Sequence, residues 1–147
     1  MLSFLLFFTA CGGETKTSDV VDGTYVYSSL SNYYTDLEID EATAIPEGLK
    51  VTISDSTYTL SSDDGEIASG TFTLMAEDQW AAGCATNMSS VTLKSYTMES
   101  GLQIGDISYE SPKAVPGCDS GSSLQISEDD GNGNECGSGA CLYFAAE

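Results

Sequence analysis

Between Leu49 and Met75 the chain reads "LKVTISDSTYTLSSDDGEIASGTFTLM", and apolar and polar residues alternate along it with a period of two. That period places one side chain in two on a buried face, the signature of a half-buried strand. Val51 and Ile53 alternate with Thr52 and Ser54, and Tyr58 with Leu60 beyond the dipeptide Asp55-Ser56. Counting outward from a turn at that dipeptide sets Ile53 opposite Tyr58 and Val51 opposite Leu60, on one side of a hairpin. A second turn, "SDDG", ends in a glycine suited to the left-handed position of a bulged hairpin. Pairing from Ser62 with Glu66 then sets Leu60 by Ala68 and Tyr58 by Gly70, and carries Phe72 and Leu74 onto the same face. Three consecutive strands agree on one apolar side, so the segment is a β-meander.

Further strands are expected at "GTYVYSS", "SVTLKSY", "LQIGDISY", "SSLQIS" and "CLYFAA". In "LQIGDISY" the parity changes: Leu102 and Ile104 alternate, and Ile107 and Tyr109 follow on the opposite phase, so a bulge is expected at Gly105. "YYTDLEIDEATAIPEGL" has room for one helical turn before Pro46 and Gly48 end it. About eight short strands with regular turns predict a mainly β chain. Its single antiparallel meander forms a small barrel or sandwich.

The start of the chain follows a different pattern. Leu2 to Phe8 is an almost unbroken apolar run, too short for a membrane-spanning helix, which needs roughly 20 residues, and suited to the core of a secretory signal. The small residues Thr9 and Ala10 follow, then Cys11. The stretch "FTAC" resembles the lipobox of bacterial lipoprotein precursors. The resemblance implies that residues 1–10 are a signal peptide and that Cys11 is diacylated and becomes the mature N-terminus. Ordinary secretory cleavage and a buried N-terminal segment are the competing readings. Residues 11–19, "CGGETKTSD", read as an acylated cysteine with a flexible tether, and 20–147 as a single β domain. Glycine after the cysteine resembles the outer-membrane sorting pattern of enterobacterial lipoproteins, which implies export and a lipid anchor in the outer membrane. Two or more acyl chains suffice for stable attachment.

Charge narrows the function. Aspartate and glutamate number 23 against four lysines, with no arginine or histidine, for a formal net charge of −19. A nucleic-acid partner is excluded, because polyanions are held by clustered lysine and arginine. Adhesion to anionic lipid fails for the same reason, which leaves the acyl anchor as the membrane contact. Without histidine there is no Ser-His-Asp triad, Cys-His pair or His-ligated metal. Carboxylate pairs occur at Asp63-Asp64 and Glu77-Asp78, both read as turns, and no catalytic constellation emerges; a non-enzymatic protein is expected.

Four cysteines remain beyond Cys11: Cys84, Cys118, Cys136 and Cys141. An even number in an exported chain suggests two disulfides with three pairings open. If "SSLQIS" pairs antiparallel with "CLYFAA", Cys141 sits near Ser127, at the end far from Cys118. Bridged Cα atoms lie within about 7 Å, so the preferred set is Cys136–Cys141 with Cys84–Cys118. A Cys₄ zinc site fits the spacing poorly, since two CxxC pairs are lacking.

No cofactor is expected. The one metal candidate is "SEDDGNGNEC", in which Asp130, Asn132 and Asn134 offer oxygens at alternate positions, as calcium requires. Aligned from Asp130 as an EF-hand, Glu135 stands where glycine belongs and Cys141 where the bidentate glutamate belongs. A solvated turn is the competing reading. Eight tyrosines and Trp80 are expected as core residues with hydroxyls at the rim, or as a recognition face. Asn87 begins a glycosylation-type triplet that a bacterial chain rarely uses.

The stretch "VTISDSTYTLSSDDGEIASGTFTL" is similar to the small lipocalin-like domains of bacterial lipoproteins. That resemblance implies an up-and-down barrel with an apolar cavity. Three functions follow as expectations: a lipid-anchored envelope protein acting by binding or surface structure, a carrier of a small apolar ligand, and a calcium-dependent interaction module.

Overall fold

The computed structural model describes residues 16–31, 38–80, 91–131 and 139–147. Its strands are β1 (Lys16–Ser18), β2 (Gly23–Ser31), β3 (Lys50–Ser54), β4 (Thr57–Ser62), β5 (Gly65–Thr71), β6 (Thr73–Trp80), β7 (Val91–Thr97), β8 (Leu102–Ile104), β9 (Ile107–Tyr109), β10 (Pro112–Pro116), β11 (Ser123–Glu128) and β12 (Cys141–Ala146). One helical turn, α1 (Glu41–Ala44), stands between β2 and β3. The chain is mainly β, as its alternation predicts.

The meander is in the expected register except beside its second turn, where Ser62 does not pair with Glu66. Ile53 pairs with Tyr58 and Val51 with Leu60, and across the next turn Leu60 pairs with Ala68 and Tyr58 with Gly70. The bulge lies beside Leu60, so Ser62 pairs with Gly65 and Ser61 with Glu66. Asp55 and Ser56 both hold positive φ, 48° and 64°, as the two central positions of a tight hairpin demand. Asp22 Oδ1 accepts from the Asp55 N–H at 3.1 Å and steadies that turn.

The strands form a curled sheet. Antiparallel pairings run β5–β4–β3–β2–β12–β11–β10–β7–β6, but β1 adds to β7 in parallel, so the sheet is mixed and not the wholly antiparallel one expected. β5 and β6 are consecutive, separated only by Phe72; the first half of this bent strand lies on β4 and the second on β7. Inside the curl, Val51, Tyr58, Leu60, Ile104, Ile126, Leu142 and Phe144 are each at most 1 % exposed. At about 25 cal/mol per Å² of apolar surface withdrawn from water, this cluster is the main source of stability.

Four further expectations need correction. Leu74 is 50 % exposed rather than facing the core, because it lies beyond the bend at Phe72, where a register shift follows between Leu74 and Ala76. "LQIGDISY" is not one bulged strand but a hairpin: β8 pairs with β9, Ile104 opposite Ile107 and Leu102 opposite Tyr109. Gly105, at φ 59°, and Asp106 are its two turn residues. A two-residue turn keeps facing residues on one side, which is why the parity flips. Glu77-Asp78 lies within β6, not in a turn. Residues 16–18, placed within the flexible tether, form β1: Ser18 is fully buried and its hydroxyl donates to the Gly117 carbonyl.

A further strand went unexpected. β10, "PKAVP", carries proline at both ends, which reads as a break rather than a strand. The prolines are tolerated because β7 pairs only with Lys113 and Ala114, so neither proline is asked for an N–H on that side.

Candidate binding cleft

A concave surface of about 420 Å³ lies at the end of the sheet that carries α1. Asp40 caps α1, its carboxylate accepting from the Ala42 N–H at 3.2 Å. The chain leaves the helix at Ile45-Pro46, since proline cannot continue it. The β8–β9 turn then packs on the helix end, where the Asp106 N–H donates to the Ala44 carbonyl at 3.1 Å. An added Cβ at Gly105 would overlap that carbonyl oxygen, so only glycine permits the approach. Ile39, Ala44, Ile107 and Ala140 give the cleft an apolar floor, and Glu38, Asp40, Asp106, Thr43 and Ser108 supply oxygens around it. Carboxylates over an apolar floor suit a cationic or hydrogen-bond-donating group. Of the described hydroxyls lining it, Thr43 donates to the Asp40 carbonyl and Ser108 to the Gln103 side-chain oxygen, neither to a carboxylate.

The tyrosines divide between core and rim. Tyr25, Tyr58 and Tyr109 are buried, and every described hydroxyl among the inward five finds a partner. Tyr25 donates to the Val21 carbonyl at 2.7 Å and Tyr109 to the Ala140 carbonyl at 2.8 Å, while Tyr58 accepts from the Glu99 N–H at 3.0 Å. Tyr27 donates to Glu41, and Tyr96 to Asp19 at 2.6 Å. Burial, and then a carboxylate neighbour that disfavours phenolate, raises both of these last two; Tyr96 is pushed up to about 12 and Tyr27 further. Burial likewise carries Tyr109 well above the ordinary phenol range, with Glu128 adding to it.

The remaining candidates are placed unevenly. Cys11, Cys84 and Cys136 lie outside the described residues, as do Asn132, Asn134, Asn87, Tyr33 and Tyr34. Ile126 pairs with Leu142, which sets Cys141 beside Ser127, while Cys118 follows Gly117 at the opposite end, where the Gly117 N–H donates to the Ser123 carbonyl at 3.0 Å. Asp130 is half-buried at the end of β11. Among the described residues no three of His, Cys, Asp and Glu are grouped to hold a metal ion.

The cleft itself was not singled out from sequence. It joins residues 38–44, 106–108 and 139–140, which no local pattern connects; the parity flip at Gly105 was the signal that a turn stood there. No protein-family profile, curated protein sequence or solved structure matches this chain.

Proposed function

We propose that the chain is exported and fastened to a bacterial envelope, at the outer membrane, by acyl chains on Cys11, and that its β domain acts there without catalysis, as a binding or architectural module. The observation that carries this reading is the apolar run Leu2–Phe8 closing on "FTAC". Strand β1 starts at Lys16, five residues beyond Cys11, so the proposed anchor lies close in sequence to the domain. No helix among the described residues is long and apolar enough to cross a membrane, and the acyl chains would supply the attachment.

We read the sheet as an eight-lane up-and-down barrel in which β5 and β6 count as one bent strand. In support, consecutive pairings then return from β7 to β6 and the path meets itself. A carrier of an apolar ligand needs an interior cavity, and here Tyr58, Leu60, Ile104, Leu142 and Phe144 fill the interior. Binding is therefore assigned to the outer cleft beside α1.

The proposed disulfides remain Cys84–Cys118 and Cys136–Cys141. Trp80 and Val91, which bracket residues 81–90, pair with one another, Val91 pairs with Lys16, and the Lys16 amine meets Asp119, next to Cys118. Cys141 lies at the far end, three residues beyond the segment 132–138 that contains Cys136.

Metabolic labelling with palmitate tests the anchor. The wild-type chain is expected to take up label and partition with membranes, and Cys11→Ser to do neither. Equal labelling of both, or recovery of the wild-type chain with Met1 retained and no acyl mass, would overturn the proposal.

A further inference from the structure

We infer that the tip formed by the start of β1, the start of β7 and the turn at Asp119 faces the bilayer, and that the cleft beside α1 points away from it; this rests on the acyl attachment at Cys11 proposed above. Five residues lead from Cys11 to Lys16, and fully extended chain spans at most about 3.6 Å per residue, roughly 18 Å in all. That is the longest reach available, because β1 itself is bound into the sheet. Its three residues pair in parallel with Val91, Thr92 and Leu93. The Lys16 amine meets Asp119, the Ser18 hydroxyl donates to the Gly117 carbonyl, and the Asp19 N–H donates to Ser120 Oγ at 2.9 Å. β1 runs parallel to β7, from the tip inward, so the preceding chain leaves at the tip.

The cleft lies at the other end of the strands. In the β10–β11 pair, Pro116 and Leu124 are at the tip end and Pro112 and Glu128 at the cleft end. Strands of five or six residues cover about 17–20 Å, so the cleft is held that much further from the attachment point than the tip. Charge opposes this arrangement and does not produce it. Asp19, Asp22, Asp55 and Asp119 cluster around the tip end and outnumber Lys16 and Lys94, so an anionic leaflet repels this end and no electrostatic attraction draws the flank down. The short connector alone sets the orientation, with the lipid surface as the partner of the tip.

The test uses the full acylated chain in bilayer discs whose lipids carry a paramagnetic headgroup, with acyl mass confirmed on the same sample. Amide signals of Thr17 and Ser120 are expected to broaden several-fold more than those of Asp106 and Ser108. Uniform or reversed broadening in an acylated sample overturns the orientation alone, whereas absence of acyl mass overturns the anchor and the orientation with it. Inserting about twenty Gly/Ser residues between Glu14 and Thr15, a coil spanning roughly 25 Å, is expected to erase the gradient. A gradient that survives the insertion shows that the surface orients itself, and overturns the connector as the cause.

Discussion

The meander β3–β5 and the panel β7–β10–β11 are built from strands of similar length in one sheet, yet they bury their residues differently. In β3 the pattern is strictly alternate: Val51 and Ile53 are buried, and Lys50, Thr52 and Ser54 are exposed. In β10 all five residues are buried, and in β11 the four central ones are. Ala114 belongs to the main core and its neighbour Val115 to a second cluster with Val91 and Leu93. Successive side chains point to opposite faces, so both faces of this panel are covered. Even Lys113 is only 5 % exposed. A strand announces itself by alternation only where one of its faces meets water.

That contrast can be broken by measurement. The largest effect is expected at Leu60, which is fully buried: Leu60→Ala should lower unfolding free energy by about 2–5 kcal/mol in denaturant titration. Leu74→Ala, half exposed beyond the bend, should cost under about 0.5 kcal/mol.

Val115→Ala is the sharper probe of the comparison. If the second face of the panel is a true core, this change should cost about 1–3 kcal/mol. A cost near zero would return β10 to the one-sided class.

The smallest effect near neutrality is expected at Tyr96, whose phenol is pushed up to about 12 by burial and by Asp19. Its folded value stands above the ordinary 10 of an unfolded chain, so its contribution is complete below pH 10 and is lost as pH rises toward 12. Melting of the wild type against Tyr96→Phe should differ by a constant up to pH 10. Above that the wild type should lose ground. A difference that is flat through pH 12 would show that the hydroxyl is not held against ionisation.

Much of the meander was legible because its turns and its parity agree. Asp55-Ser56 fixes one register, and Gly65 the next to within the bulge beside Leu60. What escaped had its cause outside the local sequence. β10 looks like a loop because both ends are proline, and only the limited extent of β7 makes them harmless. Lys16–Ser18 has the composition of a linker, and becomes a strand because β7 offers an open edge beyond the last pair with β10. The cleft was invisible because it depends on Gly105 meeting the end of α1, sixty residues earlier in the chain.

The pairing of β12 with β2 joins residues more than a hundred positions apart: Cys141 lies opposite Ser31 and Ala146 opposite Tyr25. Contacts of such long sequence separation are the slow ones to form, since a large loop must close before they give anything back. While the polypeptide is being made, β2 must wait with one flank bare until Cys141–Ala146 emerge. A chain released before β12 is made would leave β2 and β11 as two raw edges, open to any other strand in the crowd.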